Sequence, residues 1–200
     1  MTKRIDAQMI VKPSAEGMLA SVQAAGAGRK LPPVHLWHPP YCGEIDMRIA
    51  RDGTWFHEGT PIGRAGMVRL FSSILRREEG RYFLVTPVEK VGIQVEDAPL
   101  LAVDFTVTGE GRDQTLHFVT KTEDEAAMGP DHPLRVSRDP VRDEPSPYIL
   151  IRPGLEALID RKSFYRMVEL GCHEDVGGKG WFGLWSQGQF FPIIPSAELP

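Results

Sequence analysis

From Glu44 to Ser73 the chain changes its hydrophobic period twice. Ile45, Met47 and Ile49 alternate with Asp46 and Arg48, the period-two pattern of a half-buried strand. Asp52-Gly53 supplies the positive φ angles of a tight hairpin turn, and Thr54 to His57 returns as the partner strand. Thr60-Pro61 reads as an N-cap followed by proline at the first helical position. Met67, Leu70, Phe71, Ile74 and Leu75 then recur at three and four, one apolar face of a helix that Gly80 closes.

Downstream the pattern is mostly that of strands. Tyr82 to Val85 is a short apolar run. Val91, Ile93 and Val95 alternate with Gly92 and Gln94, and Leu101, Val103, Phe105 and Val107 alternate with Ala102, Asp104 and Thr106. With Thr115 to Thr120 after the Gly109-Glu110-Gly111 turn, these predict an antiparallel meander. Lys121 to Asp131 is polar and acidic and reads as a solvated loop, and Tyr148 to Arg152 as another strand. Asp160 caps a predicted helix reaching Leu170, with Phe164, Met167 and Val168 on its apolar side. Trp181 to Trp185 and Gln189 to Ile194 form an aromatic hairpin around Gln187-Gly188. At the other end, Pro13 to Ala27 reads as a short helix from Ser14, and Lys30 to Gly43 as extended chain because proline disfavours helix at the preceding residue.

An echo links two of these regions. Ile62, Arg64, Met67, Arg69 and Leu70 recur with the same spacing as Ile159, Arg161, Phe164, Arg166 and Met167. Each helix is preceded by a strand and followed by an aromatic one, Tyr82-Phe83 or Trp181-Phe182. The shared order predicts a duplication whose second copy carries the meander in front of it.

Composition narrows the class. The 200 residues, 42% hydrophobic and 25% charged, suit a soluble globular protein with a substantial core. A net charge of -4, from 23 basic and 27 acidic residues, argues against sequence-independent nucleic-acid binding. No apolar run suits a signal peptide or a membrane span, so the expected compartment is the cytoplasm. Cys42 and Cys172 are too few for a disulfide framework or a zinc knuckle. The 17 prolines and 20 glycines fall mostly between periodic segments and signal turns.

Several segments together carry a family resemblance: His35-Leu36-Trp37-His38-Pro39, Asp52-Gly53-Thr54-Trp55, Gly59-Thr60-Pro61-Ile62-Gly63-Arg64 and Leu70-Phe71-Ser72-Ser73-Ile74-Leu75. Leu84-Val85-Thr86-Pro87-Val88-Glu89-Lys90 and Val95-Glu96-Asp97-Ala98-Pro99 continue it. Ile151-Arg152-Pro153-Gly154-Leu155-Glu156-Ala157-Leu158 and Arg161-Lys162-Ser163-Phe164-Tyr165 extend it into the second half. With these the chain resembles the domain-of-unknown-function 1285 family of bacterial proteins. The resemblance implies a duplicated core with a pleckstrin-homology-like C-terminal part. It also implies a groove between the parts as a ligand site, for a nucleotide-like molecule in a signalling role.

Residue by residue, catalytic chemistry is thin. His35 and His38 sit three apart without a second ligand pair, and Pro39-Pro40 keeps the segment extended, which favours packing over metal binding. His57 and Glu58 point to opposite faces if the strand continues, and no local nucleophile accompanies them. Cys172 adjoins His173, but no cysteine-protease signature surrounds either thiol. Gly177-Gly178-Lys179-Gly180 lacks the spacing of a phosphate loop and reads as a turn rather than an anion nest. Arg64 and Arg161 are placed in the first turns of their helices, where the macrodipole disfavours a cation. Such a position calls for a partner: an internal carboxylate such as Asp46, Asp52 or Asp160, or a ligand phosphate gripped by the guanidinium fork.

The expected molecule is an α+β protein of two related, unequal parts, residues 1–88 and 89–200, with antiparallel sheets each carrying a packed helix. The expected function is ligand sensing or regulation rather than catalysis, with a small anionic or nucleotide-like ligand between the parts. Candidate ligand-binding residues are His35, Trp37, Arg48, Asp52, Trp55, His57, Arg64, Thr86, Glu89, Lys90 and Arg161. No metal ligands or catalytic residues are assigned, and no cofactor is identified. The alternatives are a protein-interaction adaptor built on exposed Trp181, Phe182 and Trp185 and, ranked last, a hydrolase using His57, Glu58 or His173.

Overall fold

The computed structural model describes residues 15–24, 31–138 and 144–199. Helix α1 (Ala15–Ala24) buries Ala15, Met18 and Val22, which lie on one face at helical spacing. The proposed start at Ser14 and the Gly26-Ala27-Gly28 stretch fall outside the described residues. After a single 3-10 turn (Val34–Leu36) come β1 (Tyr41–Ile49), β2 (Trp55–His57), β3 (Thr60–Pro61), α2 (Ala65–Ser73), β4 (Leu75–Glu78), β5 (Arg81–Val85) and β6 (Lys90–Val95). The chain continues through β7 (Leu100–Thr108), β8 (Thr115–Thr120), β9 (Glu125–Ala127), β10 (Leu134–Arg138), β11 (Pro145–Arg152) and β12 (Leu155–Ile159). It ends with α3 (Arg161–Val168), β13 (Cys172–Val176), β14 (Lys179–Ser186) and β15 (Gln189–Pro195).

The strands form two six-stranded sheets, in the orders β3-β2-β1-β6-β5-β4 and β10-β11-β12-β7-β8-β9, and a three-stranded sheet β13-β14-β15. The fold is α+β with two related parts, and one six-stranded sheet curls into a half-barrel. With the two-residue β3 set aside, the order β1-β2-α2-β4-β5-β6 returns as β11-β12-α3-β13-β14-β15. The offset that carries Ile62 onto Ile159 also carries Leu75, the first residue of β4, onto Cys172, the first of β13. By contacts, the chain divides into two compact units, Met1–Asp46 with Leu70–Ile93 and Met47–Arg69 with Gln94–Pro200.

Four sequence readings change. The β1–β2 turn takes positive φ only at Gly53 (73°). Gly53 N donates to Ala50 O and Ala50 N to Thr54 O, a type I turn closed by a left-handed glycine, so Asp52 needs no such φ. Thr60-Pro61 is not a helix start: it pairs with Phe56 and His57 as β3 through a turn at Glu58 (φ 48°) and Gly59 (φ 74°), and α2 begins at Ala65. At its other end α2 stops at Ser73, Leu75 already lies in β4, and Gly80 turns the β4–β5 hairpin with Glu79 instead of closing the helix. Finally, β6 pairs with β5, so the meander is β7-β8-β9. Its third strand lies inside the acidic Lys121–Asp131 run, where Ala126 and Met128 are buried.

In the first unit Phe71, Ile74, Leu84 and Val91 are fully buried. In the second, β12 runs parallel to β7, with Ala157 opposite Leu100. Bulges between Ala102 and Asp104 and between Leu150 and Arg152 bend the sheet locally. Buried Ser186 on β14 donates to Met128 O at 2.7 Å and accepts from Leu116 N at 3.1 Å, so the third sheet is fastened to the second by a fully satisfied polar group.

Candidate functional site

Within the second unit, Arg51 from the β1–β2 turn and Arg161 from the start of α3 line one hollow of about 200 Å³. Ser146 and Tyr165 supply hydroxyls, Leu158 and Phe164 contribute apolar surface, and Glu144 stands at the same hollow. Arg51 is placed by a chain of polar contacts. Its backbone N–H donates to Glu96 Oε2 (3.0 Å), Nη1 pairs with Asp97 Oδ2 (2.8 Å), and Nη2 donates to Ser146 Oγ (2.9 Å). Glu96 also pairs with Arg48, whose guanidinium lies 4.2 Å from the centre of the Phe56 ring. Asp97 Oδ1 accepts from the Tyr148 hydroxyl at 2.8 Å, and burial together with this carboxylate pushes the phenol pKa up.

Arg161 is the first residue of α3 because Asp160 caps that helix, Oδ1 accepting from Ser163 N at 2.8 Å. One turn on, the Tyr165 hydroxyl accepts from Arg161 Nε at 3.0 Å and holds the guanidinium above its usual pKa. An arginine has five N–H donors. Those left over on Arg51 and Arg161 suit a tetrahedral oxyanion, with the nearby Glu144 charge opposing it.

The other predicted residues of this unit serve elsewhere. Asp52 is exposed, and its carboxylate, held below the usual range by the Thr54 backbone N–H at 2.9 Å, shapes the turn. Trp55 is 2% exposed and belongs to the core. His57 is half-buried opposite Met47. Arg64 is exposed and supplies the carbonyl that accepts the first bonds of α2, from Met67 N and Val68 N. Arg64 therefore precedes α2, whereas the sequence pattern predicts it inside the first helical turn.

In the first unit, Arg76 gathers the extended segment. Its Nη1 donates to Val34 O (2.8 Å) and Trp37 O (2.7 Å), and Nη2 pairs with Glu78. Trp37 is thereby tied through its backbone, while the His35 side chain is exposed. Lys90 Nζ donates to Glu78 Oε2 at 2.7 Å and holds that carboxyl below its usual range. Thr86 is fully buried, its hydroxyl accepting from Val88 N and Glu89 N in the β5–β6 turn. Burial raises the Glu89 carboxyl.

Arg51, Ser146 and Tyr165 carry the hollow without having been singled out by the sequence. The hollow unites them only in three dimensions, since Arg51 and Ser146 are far apart along the chain and no local motif joins them.

No catalytic set assembles among these groups. Glu58 sits in a tight turn, and His173 Nδ1 lies 2.8 Å from Ser196 Oγ. Burial raises the Cys172 thiol, which makes it a poorer nucleophile. Gly178 N donates to Asp175 Oδ1, so that turn amide is already satisfied. Among the described residues no three His, Cys, Asp or Glu side chains are placed to hold a metal, and no helix is long and apolar enough to cross a membrane. Trp181, Phe182 and Trp185 are half-buried rather than an open patch, with Lys179, His173 and Arg112 against their rings.

Comparison with known proteins matches residues 32–98 to the N-terminal domain of the DUF1285 domain of unknown function and residues 99–193 to the C-terminal domain of DUF1285 proteins. A crystal structure of a DUF1285 family protein from Silicibacter pomeroyi is 60% identical with a TM-score of 0.84, over 92% of this chain and 98% of that one. One from Shewanella baltica is 32% identical with a TM-score of 0.49, over 62% of this chain and 90% of that one. No curated protein matches.

Proposed function

The chain belongs to the DUF1285 family, and from that premise we propose that it is a regulatory module that binds a small phosphate-bearing anion at the Arg51–Arg161 hollow. The supporting observation is the convergence of two guanidinium groups, each with N–H donors left over, on one hollow that also holds two hydroxyls. Arg51 comes from the first sequence repeat and Arg161 from the second, which fits a ligand shared by the related parts. At about 200 Å³ the hollow is smaller than a typical pocket for a whole drug-sized ligand. It suits a phosphate group, with a nucleoside or other body extending into solvent.

The test is a thermal-shift panel of inorganic phosphate, pyrophosphate and nucleoside monophosphates on the full chain. A ligand at one hundred times its Kd stabilises by about 2.7 kcal/mol. Arg161→Ala, at an exposed position, is expected to abolish the shift, and Arg64→Ala to leave it intact. A flat panel, or an unchanged shift in Arg161→Ala, overturns the proposal.

A further inference from the structure

A second hollow in the same unit has the opposite chemistry. Its volume is about 730 Å³, within the usual range for small-molecule sites. Cross-strand pairing builds its floor from the face of β7-β8-β9. Asp104, Val119 and Glu125 form one row, and Thr106, His117 and Ala127 the next. Asp131, His132 and Gln187 complete the wall.

The polar lining is rich in acceptors. Glu125 and Asp131 are exposed carboxylates that form no ion pair among the described residues. Asp104 is tied to Arg166, which also donates to Phe105 O at 3.1 Å, and Lys162 adds a second positive charge near this carboxylate, so the ligand-facing acidity rests on Glu125 and Asp131. His132 Nδ1 lies 2.8 Å from Leu150 O; a carbonyl can only accept, so this nitrogen carries a proton and is already satisfied. His117 Nε2 is engaged with the Thr108 hydroxyl at 3.0 Å. Two strand spacings, about 10 Å, separate Asp104 from Glu125 along their row. A ligand here must bring several hydrogen-bond donors, and the carboxylates favour donors that carry positive charge.

We propose that this hollow is a binding site for a small linear organic polyamine, whose ammonium groups meet Glu125 and Asp131 while its methylene chain lies along Val119 and Ala127. The site shares no residue with the Arg51–Arg161 hollow, so the two proposals stand or fall separately.

The experiment is calorimetric titration of the full chain with spermidine at low ionic strength, alongside a diol of matched length. One saturable site is expected for spermidine and none for the diol. Glu125→Gln/Asp131→Asn should weaken binding at least about tenfold without changing Tm. Glu110→Gln/Glu169→Gln, which removes the same charge elsewhere on the surface, should leave it unchanged. Amide resonances of Thr106, Val119 and Ala127 should shift in the unsubstituted protein, a readout that does not depend on how any variant folds. Failure to saturate at millimolar spermidine, equal weakening in the control pair, or equal binding of the diol overturns the proposal; the last would make the site one for hydroxyls.

Discussion

Arg64 and Arg161 occupy matching positions in the two repeats, yet their surroundings have made them into different things. In the second repeat the preceding residue is Asp160, whose carboxylate caps α3, so the helix begins at Arg161. In the first it is Gly63, which has no side chain to cap with, and Arg64 itself takes the cap position, its carbonyl accepting from Val68 N at 3.2 Å. Four residues on, Val68 is matched by Tyr165, the hydroxyl that steadies Arg161. Five residues on the repeats agree again: Arg69 pairs with Glu123 and Arg166 with Asp104. The shared arginine of the helix body serves the scaffold in both copies. The hollow beside the other one depends on residues that the copies do not share.

If the second repeat is the more tightly specified copy, its glycines should show it first. At Gly183 on β14 an added Cβ would run into the Phe191 backbone carbonyl, which cannot swing aside. Gly183→Ala is expected to cost about 3 kcal/mol in chemical denaturation. At Gly92 on β6 the atoms nearest the Cβ would be those of the Glu44 carboxylate, the end of an exposed flexible side chain, and Gly92→Ala should cost about 1 kcal/mol. Equal losses would erase the contrast.

Next in size are the two helix starts. Asp160→Ala should lose about 1 kcal/mol, whereas Arg64→Ser, by installing a capping hydroxyl, should gain somewhat less than that. A loss on replacing Arg64 would reveal a partner for its guanidinium and break the comparison.

The smallest effect concerns Glu89 in the β5–β6 turn. Burial raises its folded pKa above the unfolded value, so the folded state holds the proton more firmly and the charged form costs stability at neutral pH. Glu89→Gln should therefore raise Tm slightly at pH 7. The gain should disappear as pH falls through the raised folded value toward the ordinary carboxylate range. A gain independent of pH would assign it to something other than charge.

Local chemistry made much of the fold readable. Alternation located β6 and β7, a short apolar run β5, Asp160 announced α3, and Gln187-Gly188 took the positive φ angles of a two-residue hairpin, 49° and 71°. The misread stretches are those where two local codes coincide. Thr60-Pro61 suits a helix start as well as a strand edge, and Ile74 and Leu75 extend a helical stripe while being fully buried through a change to strand. Strand β9 was hidden because its acidic flanks outweigh Ala126. Of the candidate site only Arg161 was legible, through its matched position. Arg51 depends on Asp97 and Ser146, and no short-range pattern reports such distant partners.

The parallel pairing of β12 on β7 sets the tempo of folding. Hairpins such as β7–β8, β8–β9 and β11–β12 close through short connections, whereas Ala157 reaches Leu100 only by closing a loop that contains β8 to β11. During synthesis at about 5–20 residues per second, β7 therefore waits several seconds for its partner with one edge open. In pulse-labelled hydrogen exchange, the β7–β8 amides should gain protection before the Asp160 N–H, which donates to Ala102 O at 2.9 Å. Until that rung forms, the edge around Leu100 to Ala102 is the stretch of β7 open to pairing with another chain.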